Sequence, residues 1–255
     1  LYGGTYRIFD KMFAAYGITF HFVPMGDMEV VEKHINANTK LLWVETPTNP
    51  LMQVIDIEAM AALLERELAT GAVGLSTGLE YEPGIHSQTS EVMHLAQLTA
   101  DAGGRYISHI RSEDRWFNDA LEEIIEIGRV TGMPVQVSHL KLAMASLWGR
   151  SPWIIQRLDA ARAEGIDLTA DIYPYTYWQA SMLVLFPERD PIDLAAIDIV
   201  MAELAPPDGI IFTYFPVEPS YVGMTLTEIA AAREQSPTEA FSALAQMSIA
   251  HETAT

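Results

Sequence analysis

Two four-residue segments of the chain share a pattern of side chains that could bind a metal ion. Residues 108–111 and residues 138–141 both read serine, histidine, an apolar residue and a basic residue, and their histidines, His109 and His139, are 30 positions apart. Neutral imidazole is the commonest protein ligand for metals, and two imidazoles could hold Zn²⁺ at about 2.1 Å each. A single histidine at a strand end is more often a hydrogen-bonded structural residue. The repetition brings the metal-site hypothesis level with that structural alternative.

Charged and aromatic residues near the two histidines could contact a substrate. Arg111 and Lys141 each lie two positions beyond a histidine, a spacing that would place them on the same side as the histidine if the strand continues. There they could bind a carboxylate, and the alternative for both is a solvated cation at the start of a loop. Asp171 could orient a metal ligand or cap a loop, and Tyr173 could line a pocket or simply pack.

The sequence predicts that the two histidines lie at the ends of neighbouring parallel strands. From residue 71 onward, apolar strand-like segments alternate with single helices, and the strands are spaced by about 30 residues. This alternation is typical of parallel βαβ units, and the spacing suits a TIM-like (β/α) barrel. We therefore predict an α/β fold, an incomplete barrel in which the imidazoles of His109 and His139 lie within about 10 Å, given a strand spacing near 4.8 Å. The predicted strands are 72–76, 105–109, 134–139 and 166–172, with helices at 89–102, at 113–130 and from 151 onward.

The two ends of the chain have a less regular pattern. The first 60 residues predict short helices and strands of an appended α/β fragment, and the regular alternation fades after Pro174. The N-terminal predictions are helices over 7–16 and 27–35, strands over 18–23 and 40–45, and a helix over about 57–69. The C-terminal predictions are helices over 192–205, 227–234 and 237–247 and a strand over 209–215.

The composition excludes several kinds of protein and site. The 255 residues carry 15 Lys and Arg against 34 Asp and Glu, a net charge of −19, which argues against binding to nucleic acid or to an anionic membrane. The absence of cysteine excludes disulfides, thiolate zinc sites and a cysteine nucleophile. No apolar run approaches 18 residues and no secretory signal is recognisable, so we expect a cytoplasmic protein that acts on a small molecule. Because the chain begins at Leu1 without methionine, we also expect a fragment.

Residues 61 to about 245 resemble the N-acyl-D-amino-acid deacylases of the amidohydrolase superfamily. Several long motifs stand in the family's order, which makes the resemblance specific. The family is a metal-dependent TIM barrel that hydrolyses the amide bond of N-acyl-D-amino acids, so the resemblance implies this fold, a zinc cofactor and this class of substrate. The motifs are GAVGLSTGLEYEPG at 71–84, GGRYISHIRSE at 103–113, GMPVQVSHLK at 132–141, WGRS at 148–151 and TADIYPYT at 169–176.

The same resemblance implies roles for individual residues. It implies that His109 and His139 are the histidine metal ligands of two adjacent strands, and that Lys141, Tyr81 and Tyr173 contact the substrate. The family's first-strand His-x-His pair, its bridging cysteine and the catalytic aspartate at the end of its eighth strand have no counterpart in this sequence. The catalytic base is therefore unknown, and we expect the chain to be impaired or inactive as a deacylase.

Residues 1 to about 60 resemble a different family, the pyridoxal-phosphate enzymes of cysteine and methionine metabolism such as cystathionine γ-synthase. The matching stretches are LYGGTYRIFDK at 1–11 and LLWVETPTNPLMQVIDIEAMA at 41–61. The resemblance implies that Tyr2 stacks on the cofactor ring and that Asn49 contacts its phenolic oxygen. The family's Schiff-base lysine falls outside this segment, which leaves the cofactor without a covalent anchor.

The two resemblances together predict a chimera of unrelated fragments joined near residues 60–63. The predicted domains are 1–60, resembling part of a pyridoxal-phosphate enzyme, and 61–255, a partial amidohydrolase barrel. Because an incomplete barrel exposes strand edges and apolar faces, we also expect self-association. Three functions stay open: the deacylase, a pyridoxal-phosphate-dependent lyase or synthase of sulfur amino acids, and an inactive interaction fragment.

Overall fold

The computed structural model describes residues 9, 13–23, 27–39, 57–81, 84–186 and 189–254. The chain divides into two compact units. The first takes in the chain up to Ser112 together with Trp116–Leu140 and Pro152–Tyr173, and the second takes in Glu113–Arg115, Lys141–Ser151 and the chain from Pro174 onward.

The described part of the N-terminal segment contains two α-helices and a short 3₁₀ helix, Phe13–Tyr16. α1 (Met28–His34) begins after Asp27, whose Oδ1 accepts a hydrogen bond from the Val30 amide at 3.2 Å, and α2 spans Ile57–Thr70. Both helices were predicted and are confirmed. The predicted strand at 18–23 is wrong, because these residues have no regular structure and no strand partner among the described residues. The predicted strand at 40–45 cannot be compared, since residues 40–56 lie outside the described residues. The predicted domain junction near residues 60–63 falls within α2 and stays a prediction.

A parallel sheet of four strands forms the centre of the first unit. The strands stand in the sheet in chain order, and neighbouring parallel strands need a crossover between them. Each crossover contains one helix, which confirms the predicted α/β fold of parallel βαβ units. The order is β1 (Gly74–Gly78), α3 (Thr89–Asp101), β2 (Arg105–His109), α4 (Phe117–Thr131), β3 (Val135–Val137), α5 (Ser151–Ala163) and β4 (Leu168–Ala170).

The helix α4 shows how the pattern of apolar residues determines the packing of this unit. Its buried face includes Leu121, Ile124 and Ile125, which recur at helical spacing, and full burial of each such side chain is worth about 1.5–3 kcal/mol. The helix ends at Gly132, whose φ of 69° is the left-handed conformation that glycine adopts without a steric penalty. The predicted start at residue 113 is wrong by four residues. The chain bends before the helix, where the Ser112 hydroxyl accepts a hydrogen bond from the Trp116 amide at 3.2 Å.

The second unit is mainly helical. Its principal helices are α6 (Leu194–Glu203), α7 (Leu226–Ala232) and α8 (Pro237–Ala254), as predicted, although α8 runs further than predicted. Their apolar faces enclose a core in which Phe186 stacks on Phe241 with ring centroids 5.3 Å apart. The predicted strand at 209–215 is wrong. That segment makes a single antiparallel bridge, between Ile211 and Thr225.

Among the described helices, none combines the length and the apolar character needed to span a lipid bilayer.

Candidate metal centre

His109 is positioned by the parallel pairing of β1 and β2. It is the last residue of β2, and its Cα partner in the sheet is Gly78, the last residue of β1. Because alternate residues of a strand face opposite sides, the side chains of Tyr106 and Ser108 are buried while that of His109 lies on the other face. The imidazole keeps 12% of its surface exposed. The strand therefore holds His109 at the carboxyl end of the sheet, where barrel enzymes place their active sites.

His139 is positioned differently, by a turn rather than by a strand. β3 ends at Val137, and His139 adopts the left-handed conformation with a φ of 39°. Asp171 holds this turn, since its Oδ1 accepts a hydrogen bond from the His139 amide at 2.6 Å and its carbonyl accepts one from the Leu140 amide at 2.8 Å. A non-glycine residue in this conformation is uncommon, and such residues persist where surrounding contacts hold them.

The two imidazoles meet directly. His109 Nδ1 lies 2.9 Å from His139 Nε2, and the ring centroids are 4.5 Å apart. This confirms the prediction that they lie within about 10 Å. Arg111 and Lys141 were expected on the same side as the histidines only if each strand continued past its histidine. That condition is not met, because β2 ends at His109 and β3 ends at Val137.

Glu80 completes this cluster and was not predicted from the sequence. Its Oε2 lies 2.8 Å from His109 Nε2, on the opposite side of the ring from His139. Glu80 follows β1 by two residues, and the Leu79 amide donates to the His109 carbonyl at 3.0 Å. The signal in the sequence was its place at the carboxyl end of a strand neighbouring β2, since parallel strands bring their carboxyl ends to one edge of the sheet.

A close backbone approach shapes the loop that carries Glu80. A Cβ atom on Gly84 would lie 2.6 Å from the carbonyl oxygen of Gly78, so only glycine fits without displacing the loop. Arg111 ties down the same loop through hydrogen bonds to the carbonyls of Gly84, Ile85 and Ser87, at 3.2, 3.2 and 2.8 Å.

Arg111 is also paired with a carboxylate. Its Nε and Nη2 donate to the two carboxylate oxygens of Glu123 at 3.0 and 2.8 Å. Through these bonds and those to the loop carbonyls, the guanidinium of Arg111 is already hydrogen-bonded within the protein. The predicted contact of Arg111 with substrate stays a prediction, and it would require these bonds to exchange.

Two predicted substrate-contact residues flank the histidines. The ring of Tyr81 lies 4.7 Å from that of His109, and the ring of Tyr173 lies 6.4 Å from that of His139, measured between centroids. The structure thus brings four predicted site residues together in the first unit.

Three predicted site residues remain. Lys141, in the second unit, forms an ion pair with Glu113 of the same unit. Tyr2 and Asn49, the predicted cofactor-contact residues, lie outside the described residues.

Hydroxyl groups support β2 from its buried face. The Thr77 hydroxyl lies 2.6 Å from that of Tyr106 and 2.9 Å from that of Ser108, and Ser108 donates to the His109 carbonyl at 2.9 Å. Burial raises the pKa of Tyr106 to about 12. The hydroxyl therefore stays protonated and remains a hydrogen-bond donor throughout the physiological range.

The donor groups of His109 and His139 fit a zinc ion. Tetrahedral Zn²⁺ with Zn–N bonds of about 2.1 Å places two ligand nitrogens roughly 3.4 Å apart. The observed 2.9 Å between Nδ1 and Nε2 needs to open only slightly to reach that separation. The contact of His109 Nε2 with Glu80 matches the usual arrangement in which the second nitrogen of a ligand histidine bonds to a carboxylate.

Comparison with known proteins finds two different similarities. Residues 1–73 match the family described as Cys/Met metabolism PLP-dependent enzyme. A cystathionine gamma-synthase/O-acetylhomoserine (thiol)-lyase of Bacillus subtilis is 51% identical over 63 residues, which are 25% of this chain and 17% of that protein. The predicted resemblance of the N-terminal segment is confirmed.

The larger similarity is to deacylases. The N-acyl-D-glutamate deacylase of Alcaligenes xylosoxydans xylosoxydans is 38% identical over 230 residues, covering 89% of this chain and 43% of that protein. A crystal structure of N-acyl-D-glutamate deacylase from Bordetella bronchiseptica, complexed with zinc and a phosphonate inhibitor, matches with a TM-score of 0.60 and 36% identity over 72% of this chain and 35% of that one. The second predicted resemblance and the partial barrel are thereby confirmed. This chain spans less than half the length of these deacylases.

Proposed function

We propose that residues 61–255 carry part of the active site of a metal-dependent hydrolase that cleaves the amide bond of N-acyl-D-amino acids, with His109 and His139 as metal ligands. The observation that carries the proposal is the 2.9 Å contact between Nδ1 and Nε2 of these two histidines. The similarity to an N-acyl-D-glutamate deacylase supports the reaction and favours N-acyl-D-glutamate as the first substrate to test.

A bound metal would polarise the amide carbonyl and lower the pKa of a water molecule. His109 and His139 supply two nitrogen ligands.

The substrate would be contacted by three further residues. Tyr81 and Tyr173 flank the imidazole pair, where their rings would shield the reacting amide from water. Lys141 would bind the substrate carboxylate as a point charge. Arg111 is a weaker candidate for this role because its donors are already bonded to Glu123 and to loop carbonyls.

We further propose that this chain is a poor catalyst by itself. It contains no cysteine, no His-x-His sequence and no counterpart of the deacylases' catalytic aspartate. Losing a general base costs on the order of 10²–10⁴ in rate. We therefore expect zinc to bind with a Kd no tighter than about 1 μM, equivalent to about −8 kcal/mol, and deacylation to be undetectable.

The test combines a zinc titration by calorimetry with an amine-release assay on N-acetyl-D-glutamate and N-acetyl-D-methionine. The variants are the His109→Ala, His139→Ala double variant and, as a matched control, His94→Ala, which changes an exposed histidine on α3. Zinc binding that disappears in the double variant and persists in the control supports the metal site. Zinc binding that is unchanged in the double variant contradicts it, and turnover that depends on the two histidines contradicts the proposed inactivity.

A second candidate function rests on the 51% identity of the N-terminal segment to a cystathionine gamma-synthase/O-acetylhomoserine (thiol)-lyase. In that case Tyr2 and Asn49 would contact pyridoxal phosphate. The family's Schiff-base lysine has no counterpart in the segment, so we expect no stable cofactor complex. An absorbance band of protein-bound pyridoxal phosphate that survives dialysis would favour this second function over the first.

A further inference from the structure

A second pair of histidines meets in the N-terminal segment. His34 is the last residue of α1, and His21 lies in the segment 18–23, which has no regular structure. Their ring centroids are 5.2 Å apart, and the ring planes are tilted by 51°. Both residues are exposed at the surface. The fold therefore brings together two imidazoles that no motif in the sequence connects.

The separation of the two rings fits a shared metal ion. A zinc–nitrogen bond of about 2.1 Å, with about 1.15 Å from that nitrogen to the ring centre, places each centroid about 3.2 Å from the ion. At a tetrahedral angle two such ligands have centroids about 5.3 Å apart, and the observed separation is 5.2 Å. Ring packing without a metal gives centroid distances of about 4.5–7 Å, so the distance by itself is compatible with both arrangements.

A backbone contact orients His34 as metal-binding histidines are usually oriented. Its Nδ1 donates to the carbonyl oxygen of Val30 at 2.7 Å. Ligand histidines commonly bond through their second ring nitrogen to a carboxylate or a backbone carbonyl, which fixes the orientation of the ring. This contact leaves Nε2 as the nitrogen of His34 that can bind a metal.

The charges near His34 also favour a cation. His34 stands in the last turn of α1, where the negative end of the helix dipole attracts positive charge. The neighbouring Lys33 is paired with Glu29 at 3.9 Å, which offsets its charge. The chain as a whole has a net charge of −19, which draws cations toward the protein. A divalent ion that approaches this pair therefore meets little repulsion.

We propose that His21 and His34 form a second metal site, at which two imidazoles hold a divalent transition metal and water completes its coordination. Among the described residues, no third histidine, aspartate or glutamate joins the pair as a metal-binding group. Imidazole ligands suit Zn²⁺ and Cu²⁺, and Cu²⁺ should bind the more tightly of the two.

This second site should be weaker than the first. Because both of its rings are exposed, they lose side-chain freedom when they bind a metal, so we expect zinc to bind here less tightly than at His109 and His139. The inference goes beyond the proposed function, since it requires neither of those two residues.

The first test follows the ring signals of His21 and His34 by NMR while zinc chloride is added to the parent chain. At about pH 8 imidazoles are ordinarily neutral and able to bind a metal. The signals are assigned by their loss in His21→Ala and in His34→Ala. We expect zinc to shift the signals of both rings with the same concentration dependence. Each single variant should weaken the response of the remaining histidine by about 10–100-fold or more.

The second test uses Cu²⁺ on the His109→Ala, His139→Ala variant, which lacks the first histidine pair. Electron paramagnetic resonance should show copper coupled to two ring nitrogens, and to a single one when His21→Ala is added. The matched control is His94→Ala, which removes an exposed histidine of α3 and should leave the copper spectrum unchanged.

The outcomes separate this inference from the proposed function. If His34 responds to zinc equally well in the His21→Ala variant, the two rings only pack together and the inference fails. It fails as well if neither ring responds to zinc. A zinc response at His21 and His34 without one at His109 and His139 supports this site and contradicts the proposed metal centre. If the His109→Ala, His139→Ala variant does not fold, the titration of the parent chain decides, because it needs neither substitution.

Discussion

The two Ser-His-apolar-basic segments, residues 108–111 and residues 138–141, have the same sequence pattern but different structures. The first ends a five-residue strand, and its histidine is held in sheet register opposite Gly78. The second begins beyond a three-residue strand, and its histidine sits in a left-handed turn. The supporting carboxylates differ as well: Glu80 contacts the imidazole of His109, whereas Asp171 contacts the backbone amide of His139.

This difference shows that a repeated motif specifies where side chains occur along the chain but not how each side chain is oriented. Strand pairing and a side-chain contact orient His109, whereas backbone conformation orients His139. The two supports should therefore respond differently to mutation, although both serve a single 2.9 Å contact.

The largest expected effect comes from removing either histidine. We predict that His109→Ala and His139→Ala each weaken zinc binding by more than about 100-fold, the upper range for loss of a supporting residue. Calorimetric titration of each variant measures the effect. A single variant that retains the parent affinity would show that one segment alone binds the metal, and the comparison between them would fail.

The hydrogen-bonded hydroxyl groups of Thr77, Tyr106 and Ser108 should make the protein less stable at alkaline pH. Burial raises the pKa of Tyr106 to about 12, above the value of about 10 for an exposed tyrosine. The stabilisation from this shift is complete below pH 10 and is lost as the pH rises from about 10 to about 12, because the unfolded state releases the proton first. The difference between a pKa of about 10 and one of about 12 corresponds to no more than about 3 kcal/mol of stability.

Tyr106→Phe isolates that contribution, because it removes the titrating group and keeps the ring. Urea unfolding of the parent chain and of the variant between about pH 9 and 11 should show a steeper loss of stability in the parent. Parallel pH profiles for the two proteins would contradict the assignment.

The loop that supports the first segment can be tested at Gly84. A Cβ at this position would approach the Gly78 carbonyl oxygen to 2.6 Å, so Gly84→Ala must displace the loop that carries Glu80. We predict a loss of about 1–3 kcal/mol in the free energy of unfolding, typical of overpacking, together with weaker zinc binding. In Gly103→Ala nothing lies within 4 Å of the new Cβ, but φ is 75°, so that variant measures backbone strain without a steric clash. A stability loss in Gly84→Ala without a change in zinc affinity would show that the loop does not support His109.

The smallest expected effect concerns the support of the second segment. Asp171→Ala removes the acceptor of the His139 amide and should cost about 1 kcal/mol of stability. It should also lower zinc affinity, since the left-handed turn then keeps only the backbone hydrogen bond of the Leu140 amide to the residue 171 carbonyl. Asp171→Asn keeps an acceptor oxygen and should restore most of both quantities. If Asp171→Asn behaves like Asp171→Ala in unfolding and titration, the charge of Asp171 matters rather than its contact with the turn.

Several features of the molecule followed from the sequence alone. The alternation of apolar strands and single helices predicted the parallel sheet, because each βαβ unit needs a crossover long enough to form a helix. The 30-residue interval between His109 and His139 predicted their meeting, because it equals one such unit. The motifs at 71–84 and 132–141 carried the resemblance to the deacylases that comparison with known proteins confirmed.

Other features were decided by tertiary structure. The sequence could not show that β3 ends before His139, that Arg111 is occupied by Glu123, or that Glu80 reaches His109. Local patterns report which residues prefer a strand or helix and which face they share. They contain no information on which distant side chain supplies a hydrogen bond, because that depends on how loops from different βαβ units pack at one edge of the sheet. The positions of the two imidazoles therefore followed from periodicity, whereas their orientation was determined by contacts that exist only in the folded chain.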